Sequence, residues 1–273
     1  MAKCWARVRG GCGHSSREHV VSAGVLRGEL ITIAGMSWCA TPRTIPTEEA
    51  VARVLCEHHN VELSPVDTMG IAAMAAIDRA SDLTRERRRR VEMDWGTEVI
   101  SIDGGGLERW VLKTALNLAA LGEVGGTKWH SREPLDQPPE LLVRAAFGEA
   151  QLIQPMGLYA LLPLHGKELG WRQITAIGLT HPDGGYTGHI FVLQNIRLML
   201  WLSGDPPGDV EMLDPISGKL EKCEVLYRPW RLEWRVDDWK YSHCLEFSWP
   251  EDVMMRTVPT PPSAAPLARG APG

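Results

Sequence analysis

The spacing of apolar positions changes character midway along the chain. In the first part it is helical: after Pro46-Thr47-Glu48-Glu49, the residues Val51, Val54 and Leu55 recur at three- and four-residue intervals. This pattern predicts a helix with Thr47 as N-cap and Cys56 at its end. A second helix is predicted from Ser64, where Pro65 takes the first helical position and Asp67 lies in the first turn, and it runs through the Ala-rich stretch Met69 to Ala80. Thr84 to Arg90 is dense in arginine, with Arg85, Arg87, Arg88, Arg89 and Arg90 broken by Glu86, and reads as a solvated face or a phosphate-contacting strip. Val99 to Asp103 is strand-like. Gly104-Gly105-Gly106 then reads as a flexible turn before a helix from Leu107 to about Leu121, because the P-loop Lys-Ser/Thr and the dinucleotide spacing are both missing.

From about Pro134 the apolar runs become short and are cut by Gly, Pro and Asp. The runs Leu158 to Leu164, Ile174 to Leu179, His189 to Leu193, Arg197 to Leu202, Val225 to Tyr227 and Leu232 to Val236 predict strands, with tight turns at Asp183-Gly184-Gly185 and Ser217-Gly218. The tail from Thr257, rich in Pro, Ala and Gly, has little to bury and is expected to be disordered. The expected fold is therefore α+β. Its parts are an N-terminal domain over 1–80, a basic linker and helical connector over 81–133, a β-rich domain over 134–256 and a tail over 257–273. No internal repeat is visible.

Composition narrows the class. With 273 residues, 44% hydrophobic and 23% charged, the chain has the make-up of a soluble globular protein. Its net charge of -5 argues against coating nucleic acid through bulk charge and leaves room for a local basic patch. Six scattered cysteines do not form a secreted disulfide framework, the first residues lack the apolar run of a signal peptide, and no stretch reaches the roughly 18 apolar residues of a membrane span. A reducing cytoplasm is the expected compartment, with no membrane partner.

The chemistry concentrates near the N-terminus. Cys4, Cys12, Cys56 and His59 provide the four thiolate and imidazole ligands that a structural zinc prefers. Gly10-Gly11 gives the wide Cys4-x7-Cys12 loop the freedom to fold back on one ion, and Cys56-x-x-His59 has conventional spacing. His58 competes with His59, and Cys39 is also available. Glu18-His19 adds what a structural zinc does not need: an imidazole able to take a proton from water, and a carboxylate suited to a hard divalent cation such as Mg²⁺. Asn60, beside the zinc ligand, is placed to supply a second ligand.

These residues resemble the HNH nuclease family, with its ββα-metal, treble-clef-like site. The likeness rests on Cys4-x7-Cys12, Ser16-Arg17-Glu18-His19-Val20-Val21-Ser22 and Leu55-Cys56-x-x-His59-Asn60, within residues 1 to 70. It implies that His19 is the general base of a phosphodiester hydrolase, that Glu18 is a ligand of the catalytic Mg²⁺, and that Asn60 is a metal ligand or an orienter of the loop. His58 or Asp67 would stand for the last family histidine. DNA is then the expected partner, with the β-rich domain available for a protein partner or self-association. A non-catalytic zinc-binding module that recognises nucleic acid or protein is the alternative.

Elsewhere the signals are structural. Trp110, Lys113 and Asn117 share one helix face and are expected to pack the domains, with nucleic-acid contact as the other reading. Trp230, Trp234, Trp239 and Trp249 are expected in a core or interface rather than stacked on bases. His130, His165, His181, His189 and His243 show no ligand spacing.

Overall fold

The chain builds its β-rich half around one very apolar helix and then ties the N-terminal segment to the same sheet. The computed structural model describes residues 4–26, 30–35, 39–89, 96–121, 137–162, 174–182, 185–194, 196–213, 220–236 and 241–250. In chain order the elements are β1 (Glu18–His19), α1 (Ala23–Leu26), β2 (Leu30–Ala34), β3 (Arg43–Pro46), β4 (Val51–Ala52), α2 (Glu57–Glu62), α3 (Ser64–Arg89), β5 (Thr97–Asp103), α4 (Gly104–Ala120) and α5 (Glu140–Ala146). They continue with β6 (Gly157–Leu162), β7 (Ile174–Thr180), β8 (Tyr186–Leu193), β9 (Ile196–Trp201), β10 (Val210–Leu213), β11 (Leu220–Tyr227), β12 (Arg231–Val236) and β13 (Tyr241–Ser248). The fold is α+β with a β-rich C-terminal region. Among the described residues no helix is long and apolar enough to cross a membrane.

Eight strands form the main sheet in the order β10-β11-β6-β9-β8-β7-β2-β3. Its pairs are antiparallel except β2 with β7, which run parallel with Ile31 opposite Ile174. β2 and β3, which precede residue 80, continue the sheet of the C-terminal half. A second sheet, β12-β13-β5, joins β5 in parallel to β13, and β1 pairs antiparallel with β4.

α4 is apolar on nearly every side, from Leu107 through Ala119, and is buried accordingly. Gly70 lets α3 approach it, because a Cβ there would meet the Trp110 ring at 2.3 Å. Glu108 of α4 is buried with full compensation. It accepts from the Leu158 backbone N–H at 2.9 Å and from Arg228 at 2.6 and 2.9 Å, and Arg228 also donates to the Leu152 carbonyl.

Several local expectations change. Residues 47–55 do not form a helix: a 3-10 turn at Thr47–Glu49 leads into β4, where Val51 pairs with His19, and Cys56 is the N-cap of α2 instead of a helix end. Pairing with β1 and burial of Val54 and Leu55 outweigh the helical spacing. Thr47 lies within the turn, with Pro46 before it. Gly104-Gly105-Gly106 is the first turn of α4, closed by the Asp103 carboxylate accepting from the Gly106 N–H at 2.9 Å. Arg87 is buried inside the arginine run, and Arg85 pairs with Asp82. Strands β2, β3, β10 and β13 had no counterpart in the apolar runs. The expected turns at 183–185 and 217–218 lie wholly or partly outside the described residues, as do most of the connector over 122–133 and the tail.

Two buried rings make stability depend on pH. His189, beside the Tyr186 hydroxyl, is pushed down to about 3 by burial, and His243, near the Thr84 hydroxyl at 3.1 Å, is pushed down to about 4 by burial and Arg87. The unfolded chain holds both near 6.5, so below that pH it binds more protons than the folded chain does. Stability is complete above about pH 6.5 and falls as pH drops toward 4, by about 1.4 kcal/mol per pH unit for each ring. Urea midpoints between pH 7 and 4.5 should show this decline, shallower in His189→Phe; equal slopes for the two proteins would contradict it.

Candidate metal centre

Three chain segments converge to make the first cluster. The Trp5 N–H donates to the Val54 carbonyl, the Ser16 N–H to Leu55 and the Glu57 N–H to His14, so the N-terminal loop is stitched along the entry to α2. Gly10 and Gly11, at φ +79 and +65, turn the loop so that Cys12 comes back toward Cys4. His59 Nδ1 then lies 3.3 Å from Cys4 Sγ, 3.3 Å from Cys56 Sγ and 3.8 Å from Cys12 Sγ. All four ligand atoms fall within 4.8 Å of one another. A tetrahedral zinc with bonds of about 2.3 Å to sulfur and about 2.0 Å to nitrogen separates S and N by about 3.5 Å, so the four groups fit that ion.

The competition between neighbouring histidines is resolved by burial. His59 faces the thiols, whereas His58 is exposed beside Glu62, and Cys39 is elsewhere, donating to the Ile33 and Thr41 carbonyls. Sequence reasoning missed the outer support. Phe147 packs edge-on against both His59 and Trp5, and Arg9 lies 3.8 Å over the Phe147 ring while bridging Glu62 and Glu149 at 2.5 Å each. Burial pushes the Cys4 thiol up to about 12. Burial also raises Cys56, but N–H groups of His59 and Gly13 and the two other thiols outweigh it and leave Cys56 below its ordinary value. His59 is lowered by burial and by Arg9, so its ring is neutral at pH 7 and able to coordinate.

The second group is arranged differently from what the resemblance implies. Glu18 and His19 alternate on β1, so the buried Glu18 turns inward while His19 stays half-buried on the other side. Glu18 Oε1 accepts from Lys113 Nζ at 2.9 Å, and the same ammonium binds both Asp67 oxygens at 2.7 and 2.8 Å. Ser22 bonds Asp67 and accepts from Trp110 Nε1 at 3.1 Å. Asn117 accepts from Trp5 Nε1 at 2.9 Å and donates to the Val20 carbonyl at 3.2 Å. The shared face of Trp110, Lys113 and Asn117 is thus an internal polar seam.

Asn60 donates from Nδ2 to Ser16 Oγ at 3.2 Å, tying α2 to the residue that leads into β1. The carboxylates suited to Mg²⁺ therefore do not fit it as they stand, because an ammonium already fills the space between Glu18 and Asp67. Lys113 carried no sequence signal for this role beyond its helix-face spacing, and Asp67 only a weak one. Comparison with protein-family models, curated proteins and solved structures gives no match. The likeness to HNH proteins rests on the quoted residues alone.

The cluster's chemistry gives a direct expectation. Purified protein should carry one zinc per chain by elemental analysis, and Cys56→Ser and His59→Ala should each lose it. Chelation should lower stability by several kcal/mol, less than the roughly 10–16 kcal/mol that zinc supplies to small fingers. Because Cys4 is protonated in the metal-free chain, zinc expels protons on binding and its affinity is weaker at pH 6 than at pH 8 by calorimetric titration.

Proposed function

We propose that this chain is a zinc-stabilised nucleic-acid recognition protein of the reducing cytoplasm, built on an HNH-like scaffold and not acting as a metal-dependent nuclease. The observation that carries this reading is the division of Glu18 from His19: the carboxylate is buried against Lys113, and the ring lies on the other side of β1. A general base and a metal ligand acting on one phosphate must face the same space. Arg17 and Arg53 flank the β1–β4 pair, each one residue beyond the paired Glu18 and Ala52. Both are exposed, and neither meets a carboxylate among the described residues. Two exposed guanidinium groups at the end of one strand pair suit a phosphodiester backbone, whose charge they would neutralise. DNA is the expected ligand.

The second reading is an HNH-type endonuclease, favoured by the Asn60 to Ser16 tie that holds the loop three residues before His19. In it His19 takes a proton from the attacking water and Asn60 orients the loop. The Mg²⁺ that the resemblance calls for would need Glu18, which Lys113 holds, so no step is assigned to that ion.

One set of measurements separates the two. Zinc-loaded protein should bind DNA in fluorescence anisotropy, and Arg17→Ala with Arg53→Ala should weaken binding and reduce the salt slope by about 1 for each arginine. Plasmid and single-stranded DNA should stay intact with Mg²⁺ or Mn²⁺ present. Cleavage that disappears in His19→Ala would instate the nuclease instead, and DNA binding unaffected by the arginine changes would overturn the recognition surface.

A further inference from the structure

We propose that Lys113 is the resident cation of the Glu18–Asp67 pocket, an internal ammonium standing where the resemblance calls for a divalent ion, so that the wild-type pocket takes no Mg²⁺. This holds whether the chain recognises nucleic acid or cuts it.

The geometry carries the assignment. Lys113 Nζ makes three short contacts to two carboxylates, and its side chain is 2% exposed. An ammonium has three donors, matching the three carboxylate oxygens around it. The two acids come from different elements, Glu18 from β1 and Asp67 from the first turn of α3, and converge on this one ammonium. The ammonium is delivered by α4, whose other sides are packed in the core, so Lys113 cannot be displaced without disturbing that packing. Asp67 is further held by Ser22, and Ser22 by Trp110.

A divalent ion entering beside Nζ would meet a fixed positive charge at bonding distance in a medium of low dielectric. It would also need about six oxygen donors, where the pocket offers carboxylate oxygens already engaged. Asn60, the other ligand implied by the resemblance, is committed through Nδ2 to Ser16.

Two measurements test the proposal. In zinc-loaded wild-type protein carrying ¹⁵N-labelled lysine, one slowly exchanging ammonium resonance should be visible by NMR, should vanish in Lys113→Met, and should be unmoved by about 10 mM Mg²⁺, roughly tenfold above the dissociation constants of the weakest sites that hard cations occupy. In Mn²⁺ titrations followed by electron paramagnetic resonance, wild type should show no site that depends on Glu18. Lys113→Met should gain one, lost again when Glu18→Gln is added. A wild-type Mn²⁺ site abolished by Glu18→Gln, or a Lys113 resonance displaced by Mg²⁺, would overturn the proposal. Should Lys113→Met fail to fold, the wild-type and Glu18→Gln measurements still decide it. DNA binding is a separate readout: its loss would overturn the recognition reading and leave the cation assignment standing.

Discussion

Burying a single ammonium group dictates how the first seventy residues meet the rest of the chain. Lys113 lies on a helix that is buried on nearly every side, so its charge must be met inside the protein or not at all. An uncompensated buried charge costs several kcal/mol, and two carboxylates at 2.7 to 2.9 Å remove that cost only if β1 and α3 both arrive at the right place. The two-residue pairing of β1 with β4 is too short to hold itself in water. Its position is fixed by what it delivers to α4 and by the adjacent cysteine and histidine cluster.

That cluster meets a second constraint. The N-terminal loop from Cys4 to Arg17 buries few large apolar side chains, so hydrophobic burial gives it little to stand on. Cross-linking by a metal would substitute for a core, and Phe147 and Arg9 extend the anchorage to α5. The cysteine and histidine cluster and the ammonium seam meet at Trp5, which packs on Phe147 on one side and donates to Asn117 on the other. Loosening either cluster therefore strains the other.

The sequence makes one of these clusters far easier to read than the other. Thiols and imidazoles have a narrow chemistry, so Cys4, Cys12, Cys56 and His59 could be grouped from residue type and order alone, and the structure brings those four together. The apolar runs of β6, β7, β8 and β9 were likewise legible, because a buried strand leaves a run of apolar residues. Glu18 was not. A carboxylate beside a histidine reads the same whether it faces solvent, a metal or a lysine ninety-five positions away, and only the path of the chain decides which. The segment 47–55 failed for a related reason: three apolar residues satisfy helical spacing and extended burial equally well, and pairing with β1 settles the matter.

The two clusters also sort cations by hardness. Three sulfurs and a nitrogen form a soft site, whose ligands have no use for one another without an ion and whose geometry suits zinc. The oxygen-rich pocket is hard, the kind that would draw Mg²⁺ or Ca²⁺, yet its positive charge comes from the chain itself. At the second site the ammonium offsets one of the two carboxylate charges without any ion from solution. Catalysis by metal would require the reverse, an acidic pocket left hungry until the ion arrives. The covalent cation instead ties Glu18 of β1 to Asp67 of α3 through α4.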